Sequence, residues 1–418
     1  MTPPRLDRTS HPAPARPVRI VHIGIGNFAR AHQAWYTMAA DADSEWGVCA
    51  FTGRRPDAAQ VLGAQQGLYT LIERGPESDR LSVIEVLSQV RPGTDLERFV
   101  EVVAAPQTAV VTLTVTEAGY VPAGDDPAAS VVGRLAVALV ERRRQGAPPP
   151  AIVGCDNLHG NGTVLRERVL EVAERLHRDA ASWIAAEVSF VNTSVDRITP
   201  RITDEDRALV EHELGLRDEA PVVTEPFSDW ILSGEFPAGR PQWEQAGARF
   251  VDDIEPWEVR KLWILNGGHS LLAYLGLLRG YTTVDQAIAD VELVRLLEEF
   301  WDLAARLLPN ADQMDLEEYR RETYERFANP RMGYPLIQIA GDGLDKLRNR
   351  VVPVIRAARA SDDDPGPALR IVDAWSQWLA GDPARAATDQ NEDLLRRVLG
   401  ERDDRIRGLL QLIVEGDS

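Results

Sequence analysis

A doubly wound α/β domain followed by a mostly α-helical one is the fold class that this 418-residue sequence predicts. Short β-branched runs alternate with helical patterns as far as residue 250, and a glycine-rich turn follows the first of those runs. Beyond Asp252–Pro256 helical patterns take over. Alternation of the first kind favours a parallel sheet covered on both faces.

The elements follow in order. Val18–Ile25 is a β-branched apolar run that reads as a buried strand, and a helical pattern extends from Phe28 to about Ala40. Trp46–Thr52 and Ala109–Thr116 are further strands. Leu135–Arg144 reads as a helix that Pro148–Pro150 cannot continue. Ala151–Cys155 is a strand, Gly162–Arg178 a helix and Ala186–Asn192 a strand. Later helices are expected at Pro256–Leu278, Val284–Leu308, Leu316–Phe327, Arg350–Ala360, Ala368–Leu379 and Glu392–Val414, with Ser361–Pro367 as a loop. The expected domains are residues 18–250 and 251–418. Residues 1–17 have no apolar core segment and read as a disordered arm, not a signal peptide.

Composition narrows the function classes. A net charge of −19 argues against nucleic acid and anionic membrane as partners. No run reaches the roughly 18 apolar residues of a membrane span. Cys49 and Cys155 are too few for a disulfide framework, so the expected location is a reducing cytoplasm. The oligomeric state is left open.

Gly24-Ile25-Gly26-Asn27-Phe28-Ala29 fits G-x-G-x-x-A between a strand and a helix, the context of a Rossmann-type dinucleotide site. The first glycine permits the turn, the second lets the backbone approach a pyrophosphate, and the small third residue lets helix pack on strand. The next strand ends Thr52-Gly53-Arg54-Arg55 without the acid that usually holds the ribose of NAD. Arg54 and Arg55 could accept a 2′-phosphate, and Asp57 is the acid left to reach the ribose. NAD is the expected cofactor, with NADP open and no metal expected.

Only two of the 46 basic residues are lysines, Lys261 and Lys346. Lysine can lose its proton where arginine cannot, so a lysine kept against such a bias is a candidate general base. Glu258, Lys261, Asn266 and His269 share one predicted helix. At 100° per residue Asn266 lies about 140° and His269 about 80° from Lys261. Glu258 stands one turn earlier. Such a face offers a base for a hydroxyl proton and donors for the resulting alkoxide, as alcohol oxidation needs. A zinc alcohol dehydrogenase is disfavoured because His22, His32 and His159 form no ligand cluster. A short-chain reductase is disfavoured because neither lysine sits in Tyr-x-x-x-Lys.

The segments GIGNFARAHQAWY, TVTEAGY, CDNLHGNG, VNTSVDRITP, TEPFSDW, KLWILNGGHSLLAYLG and DGLDKL, in this order, resemble the mannitol dehydrogenase family of polyol-specific long-chain dehydrogenases. The resemblance implies a zinc-independent, NAD(P)-dependent oxidation of a secondary alcohol on a small polyol or sugar acid. It implies Lys261 as general base, Asn157 and Asn266 as an oxyanion hole, His269 orienting substrate and Glu258 helping the proton to solvent. Thr116 and Glu117 join the cofactor-binding set, and Lys346, Gln338, Asp196 and Arg197 the substrate-binding set. The leading expectation is D-mannitol/D-fructose interconversion. Gln338 stands where mannitol-oxidising members often carry arginine, and its QIA-x-DG context resembles the hexuronate reductases. Fructuronate or tagaturonate reduction, the mannonate oxidoreductase reaction, is therefore an alternative, as is oxidation of mannitol 1-phosphate. A non-catalytic nucleotide sensor on the same scaffold is the alternative from another class.

Overall fold

The computed structural model describes residues 3–401 except 54, 123 and 125, together with 408, 409, 412 and 413; the side chains of 117, 118 and 401 are also outside it. The chain forms two compact units, residues 1–254 and 255–418.

Among the described residues the first unit holds eleven strands: β1 (Val18–Ile23), β2 (Gly47–Phe51), β3 (Tyr69–Arg74), β4 (Asp79–Ile84), β5 (Leu87–Arg91), β6 (Val110–Leu113), β7 (Ala151–Gly154), β8 (Ser189–Asp196), β9 (Val222–Thr224), β10 (Asp229–Ser233) and β11 (Arg249–Phe250). Eight form one sheet in the order β11-β10-β8-β7-β6-β1-β2-β5. The neighbours from β5 through β8 pair in parallel, and β10 adds antiparallel to β8. The strand order reverses at β1, and doubly wound sheets bind ligands at the carboxyl ends of the strands there. A smaller sheet, β4-β3-β9, joins β3 and β4, from between β2 and β5, to β9, from after β8. Alternation splits the core between the two faces: Ile20, Val48 and Val110 pack on one, Val21, Ile23, Cys49 and Val111 on the other.

Three expectations need correction here. The segment 1–17 is not a loose arm among the described residues. Leu6 is buried, and its N–H donates to the Arg217 carbonyl at 2.9 Å. The Arg8 guanidinium donates to the carbonyls of Glu85 and Leu87, and Arg16 pairs with Asp41 at 2.7 Å. Polar, proline-rich composition hid these arginine-to-carbonyl ties. The helix expected from Phe28 to Ala40 breaks at His32 into Asn27–Ala31 and Gln33–Ala39. An additional helix, Arg178–Glu187, precedes β8 where a strand was expected to begin at Ala186.

In the second unit, helix Gly267–Leu278 is buried along most of its length. It packs against helices Val291–Leu307, Leu336–Ala340 and Gly366–Gly381. No helix among the described residues is long and apolar enough to cross a membrane.

Candidate active site

In the N-terminal unit the glycine turn leaves β1 with Gly24 at φ +98°, where a Cβ would stand 2.0 Å from the Thr114 carbonyl oxygen. Only glycine fits. The Thr114 hydroxyl donates to the Gly24 carbonyl at 2.8 Å, so the end of β6 holds the turn in place. Buried His22 bridges the hydroxyls of Thr112 and Thr114, and burial pushes its pKa down to about 4. Gly26 differs from Gly24. A Cβ there would meet nothing nearer than the Gly24 carbonyl at 3.8 Å. The protein's own packing leaves this position open, which fits a pyrophosphate approaching the backbone of Gly24–Ala29. Phe28 stacks on His32, with ring centroids 5.0 Å apart. Asn27 accepts from the Arg30 guanidinium at 2.8 Å. Arg54 and the side chain of Glu117 lie outside the described residues; Arg55, Asp57 and Thr116 are exposed, Thr116 just beyond β6.

The CDNLHGNG segment follows β7. The Asp156 carboxylate accepts from the Val115 N–H at 2.7 Å and the Tyr120 hydroxyl at 2.6 Å. Burial raises its pKa to about 7, against the lowering effect of those two hydrogen bonds. Asn161 donates to the Asp156 and Thr193 carbonyls and accepts from the Thr193 N–H at 2.9 Å. Exposed Asn157 is therefore carried on a loop fastened to β6 and β8. Asp156, Tyr120 and Asn161 were not foreseen as supports, because burial of a loop acid leaves no periodic trace.

Asp196 is buried at the end of β8, paired in register with Asp229. Arg197 corrects its substrate-binding expectation. Its side chain is fully enclosed and bonds Glu73 at 2.8 Å, the Ala31 carbonyl at 2.6 Å and the Glu225 carbonyl at 3.2 Å. It lies over the Trp35 ring. These contacts make it a strut between the glycine-turn helix and the small sheet.

In the C-terminal unit the expected straight helix Pro256–Leu278 is three segments: an α-helix at Glu255–Arg260, a π-helix at Lys261–Asn266, and an α-helix at Gly267–Leu278. The Trp301 indole N–H donates to the Ile264 carbonyl inside the wide turn at 2.8 Å. Gly267 and Gly268 allow this approach, since a Cβ would meet the Phe300 ring at 2.7 Å and Trp301 Nε1 at 3.0 Å, respectively. With roughly 80° per residue through a π turn and 100° afterwards, Asn266 comes to about 40° and His269 to about 20° from Lys261. On that ideal geometry the three positions fall within a narrow arc of the helix surface instead of half of it. His269 is buried against the rings of Phe327 and Tyr334, with centroids 4.3 and 5.9 Å away. Glu258 is buried one turn before Lys261.

Lys346 lies on helix Gly343–Arg350. Its ammonium donates to the carbonyls of Ile339 at 3.1 Å and Gly341 at 2.5 Å, the C-terminal end of helix Leu336–Ala340. Burial and the nearby Arg350 charge push its pKa down. Gln338 is exposed on that short helix. Among the described residues no group of three or more His, Cys, Asp or Glu could hold a metal ion.

An α/β unit with an open glycine turn, followed by a helical unit bearing a Lys-Asn-His stripe, defines the class of long-chain dehydrogenases. Residues 18–245 match the mannitol dehydrogenase Rossmann domain and residues 253–415 the mannitol dehydrogenase C-terminal domain. The chain belongs to the mannitol dehydrogenase family and is an oxidoreductase. D-mannonate oxidoreductase of Escherichia coli is 36% identical over 81% of this chain and 75% of its own length. D-arabinitol 4-dehydrogenase of Ralstonia nicotianae is 35% identical over 84% of this chain and 81% of its own. The Pseudomonas fluorescens mannitol 2-dehydrogenase ternary complex with NAD and D-mannitol superposes with a TM-score of 0.80 and 32% identity, covering 96% of this chain and 87% of that one.

Proposed function

We propose that the protein interconverts a secondary alcohol and the corresponding ketone on a polyol or sugar acid, using NAD and no metal. The observation that carries this reading is the π-helix at Lys261–Asn266, whose wider turn supports a reading with Lys261, Asn266 and His269 on one face. Lys261 Nζ takes the hydroxyl proton during oxidation, a role that needs a neutral amine and excludes arginine. Asn266 supplies an amide N–H donor to the developing alkoxide, the role proposed for Asn157 as well. His269, held between two aromatic rings, presents a fixed imidazole to a neighbouring substrate hydroxyl. Glu258 provides a carboxylate one turn away for passing the proton onward. Bound NAD would accept the hydride from the carbinol carbon. The relatives acting on D-mannitol, D-arabinitol and D-mannonate support the substrate class.

The test is absorbance at 340 nm with NAD and NADP against a panel of polyols and sugar acids, in both directions. Turnover of at least one such compound is expected. Cofactor binding without turnover of any would favour the sensor reading.

A further inference from the structure

Two enclosed acids of the N-terminal unit fasten ordinary loops. Asp41 accepts from Arg16 and the Trp46 N–H, and Asp218 from Gln65 and the N–H groups of Thr70 and Ala220. Neither stands next in sequence to a residue of the expected site. Half-buried Asp156 does, because Asn157 follows it.

The hold on Asp156 is threefold. Its carboxylate accepts from the Val115 N–H at 2.7 Å and the Tyr120 hydroxyl at 2.6 Å, and its carbonyl accepts from Asn161 Nδ2 at 2.9 Å. Tyr120 and Asn161 are themselves buried. Burial and the neighbouring carboxylate push the Tyr120 phenol upward, so it stays the donor. Val115 follows Thr114, whose hydroxyl holds the Gly24 carbonyl and whose own carbonyl excludes a Cβ at residue 24. The carboxylate thereby ties its loop to the support of the glycine turn. That loop is short, running only from Cys155 to Gly160 between β7 and helix Asn161–Leu176. One peptide unit, about 3.8 Å between Cα atoms, separates the anchored residue from Asn157. An exposed loop amide is mobile unless its backbone is held, and a donor to developing charge works only if placed beforehand.

We propose that Asp156, held by Tyr120 and Val115, is the positioning residue for Asn157. It sets where the Asn157 amide stands relative to the glycine turn, and it acts on catalysis through that amide alone. This rests on the alcohol–ketone reading above and adds to it the device that orients one of its alkoxide donors. Asp156 needs no contact with substrate or cofactor for this role.

The test is steady-state turnover of D-mannitol, D-arabinitol and D-mannonate at 340 nm with saturating NAD, for wild type and a set of variants. Asp156→Ala removes both carboxylate bonds and should lower kcat by roughly 10²-fold, the cost of a misplaced group. Asp156→Asn, which keeps an acceptor for Val115, should recover part of that loss. Tyr120→Phe is milder, guards against a folding defect, and should lower kcat by about 10-fold while KM and NAD affinity stay within about twofold of wild type. Asn157→Ala should lower kcat by roughly 10²–10³-fold. The deciding measurement is the pair of double variants. Tyr120→Phe or Asp156→Ala added to Asn157→Ala should lower kcat no further, because residues acting through one group are not additive. Multiplying effects in the double variants overturn the positioning role, as does a Tyr120→Phe loss carried by NAD affinity with kcat unchanged. A wild type that turns over none of the three compounds removes the alcohol–ketone reading, and this role with it. The role alone fails when wild type turns over and only the variants depart from expectation.

Discussion

Gly24 and Lys261 both sit where the backbone departs from the regular element around it, and the two departures have different origins. At Gly24 the cause is local: φ of +98° and a carbonyl oxygen 2.0 Å from where a Cβ would be. Any sequence that turns sharply from strand to helix at this point needs that residue. At Lys261 the cause is distant. The wide turn of Lys261–Asn266 receives a hydrogen bond from Trp301, on another helix, and the two glycines after it admit that neighbour. The cofactor end is written in backbone conformation and the chemical end in packing. Their substitutions should therefore fail in different ways.

The largest separation is expected at the proposed base. Lys261→Arg keeps a long cation on the π turn but cannot release a proton at neutral pH. Its kcat should fall by roughly 10²–10⁴-fold, while NAD affinity and melting temperature stay close to wild type. Near-normal turnover at pH 7–9 would remove Lys261 from the base role.

This contrast also explains what could be read from the residues. The fold class, the glycine turn and the membership of Lys261, Asn266 and His269 in one helical segment were legible, because each depends on local pattern. The stripe's geometry was not. A uniform 100° step put Asn266 about 140° from Lys261, and the π turn, set by Trp301 and Phe300, brings it much nearer. Arg197 misled for a related reason. An arginine beside a strand-end acid looks the same in sequence whether it faces a ligand or is enclosed by Glu73, Ala31 and Glu225. The order of residues 3–17 was hidden because its ties run from arginine side chains to distant carbonyls.

Arg197 gives the next prediction. Arg197→Met leaves Glu73, in a mostly enclosed site, with only its long 3.9 Å pairing to exposed Arg80, and leaves two carbonyls without this donor. Removing one partner of such a pair costs about 3–5 kcal/mol, so chemical denaturation should show a large fall in stability. Unchanged stability with a raised KM would return Arg197 to the substrate.

The glycines offer a paired test with a smaller effect. Gly24→Ala forces a Cβ onto the Thr114 carbonyl at positive φ and should cost about 2–4 kcal/mol. Gly26→Ala meets no protein atom closer than 3.8 Å. Its stability should change by under about 0.5 kcal/mol, while NAD affinity, read by quenching of protein fluorescence, drops. A Gly26→Ala protein that binds NAD normally would show that no pyrophosphate approaches that backbone.

The most specific expected effect belongs to Asp156. Its folded pKa is raised from 3.8 to about 7 because burial outweighs the hydrogen bonds from Tyr120 and Val115. A raised carboxyl holds its proton in the native state after the unfolded chain has released it. The stability it contributes is fully present below about pH 4 and is lost as pH rises through about 7. The slope from this one group is at most about 1.4 kcal/mol per pH unit. Asp156→Asn cannot ionise, so its unfolding free energy should lack that decline between pH 4 and 7. Because Asp156 fastens the loop bearing Asn157, kcat in the wild type should also change across the same interval, through this proposed alkoxide donor and not through NAD affinity. A variant whose stability profile parallels wild type would show that Asp156 is ionised throughout and that the loop is held by its hydrogen bonds alone.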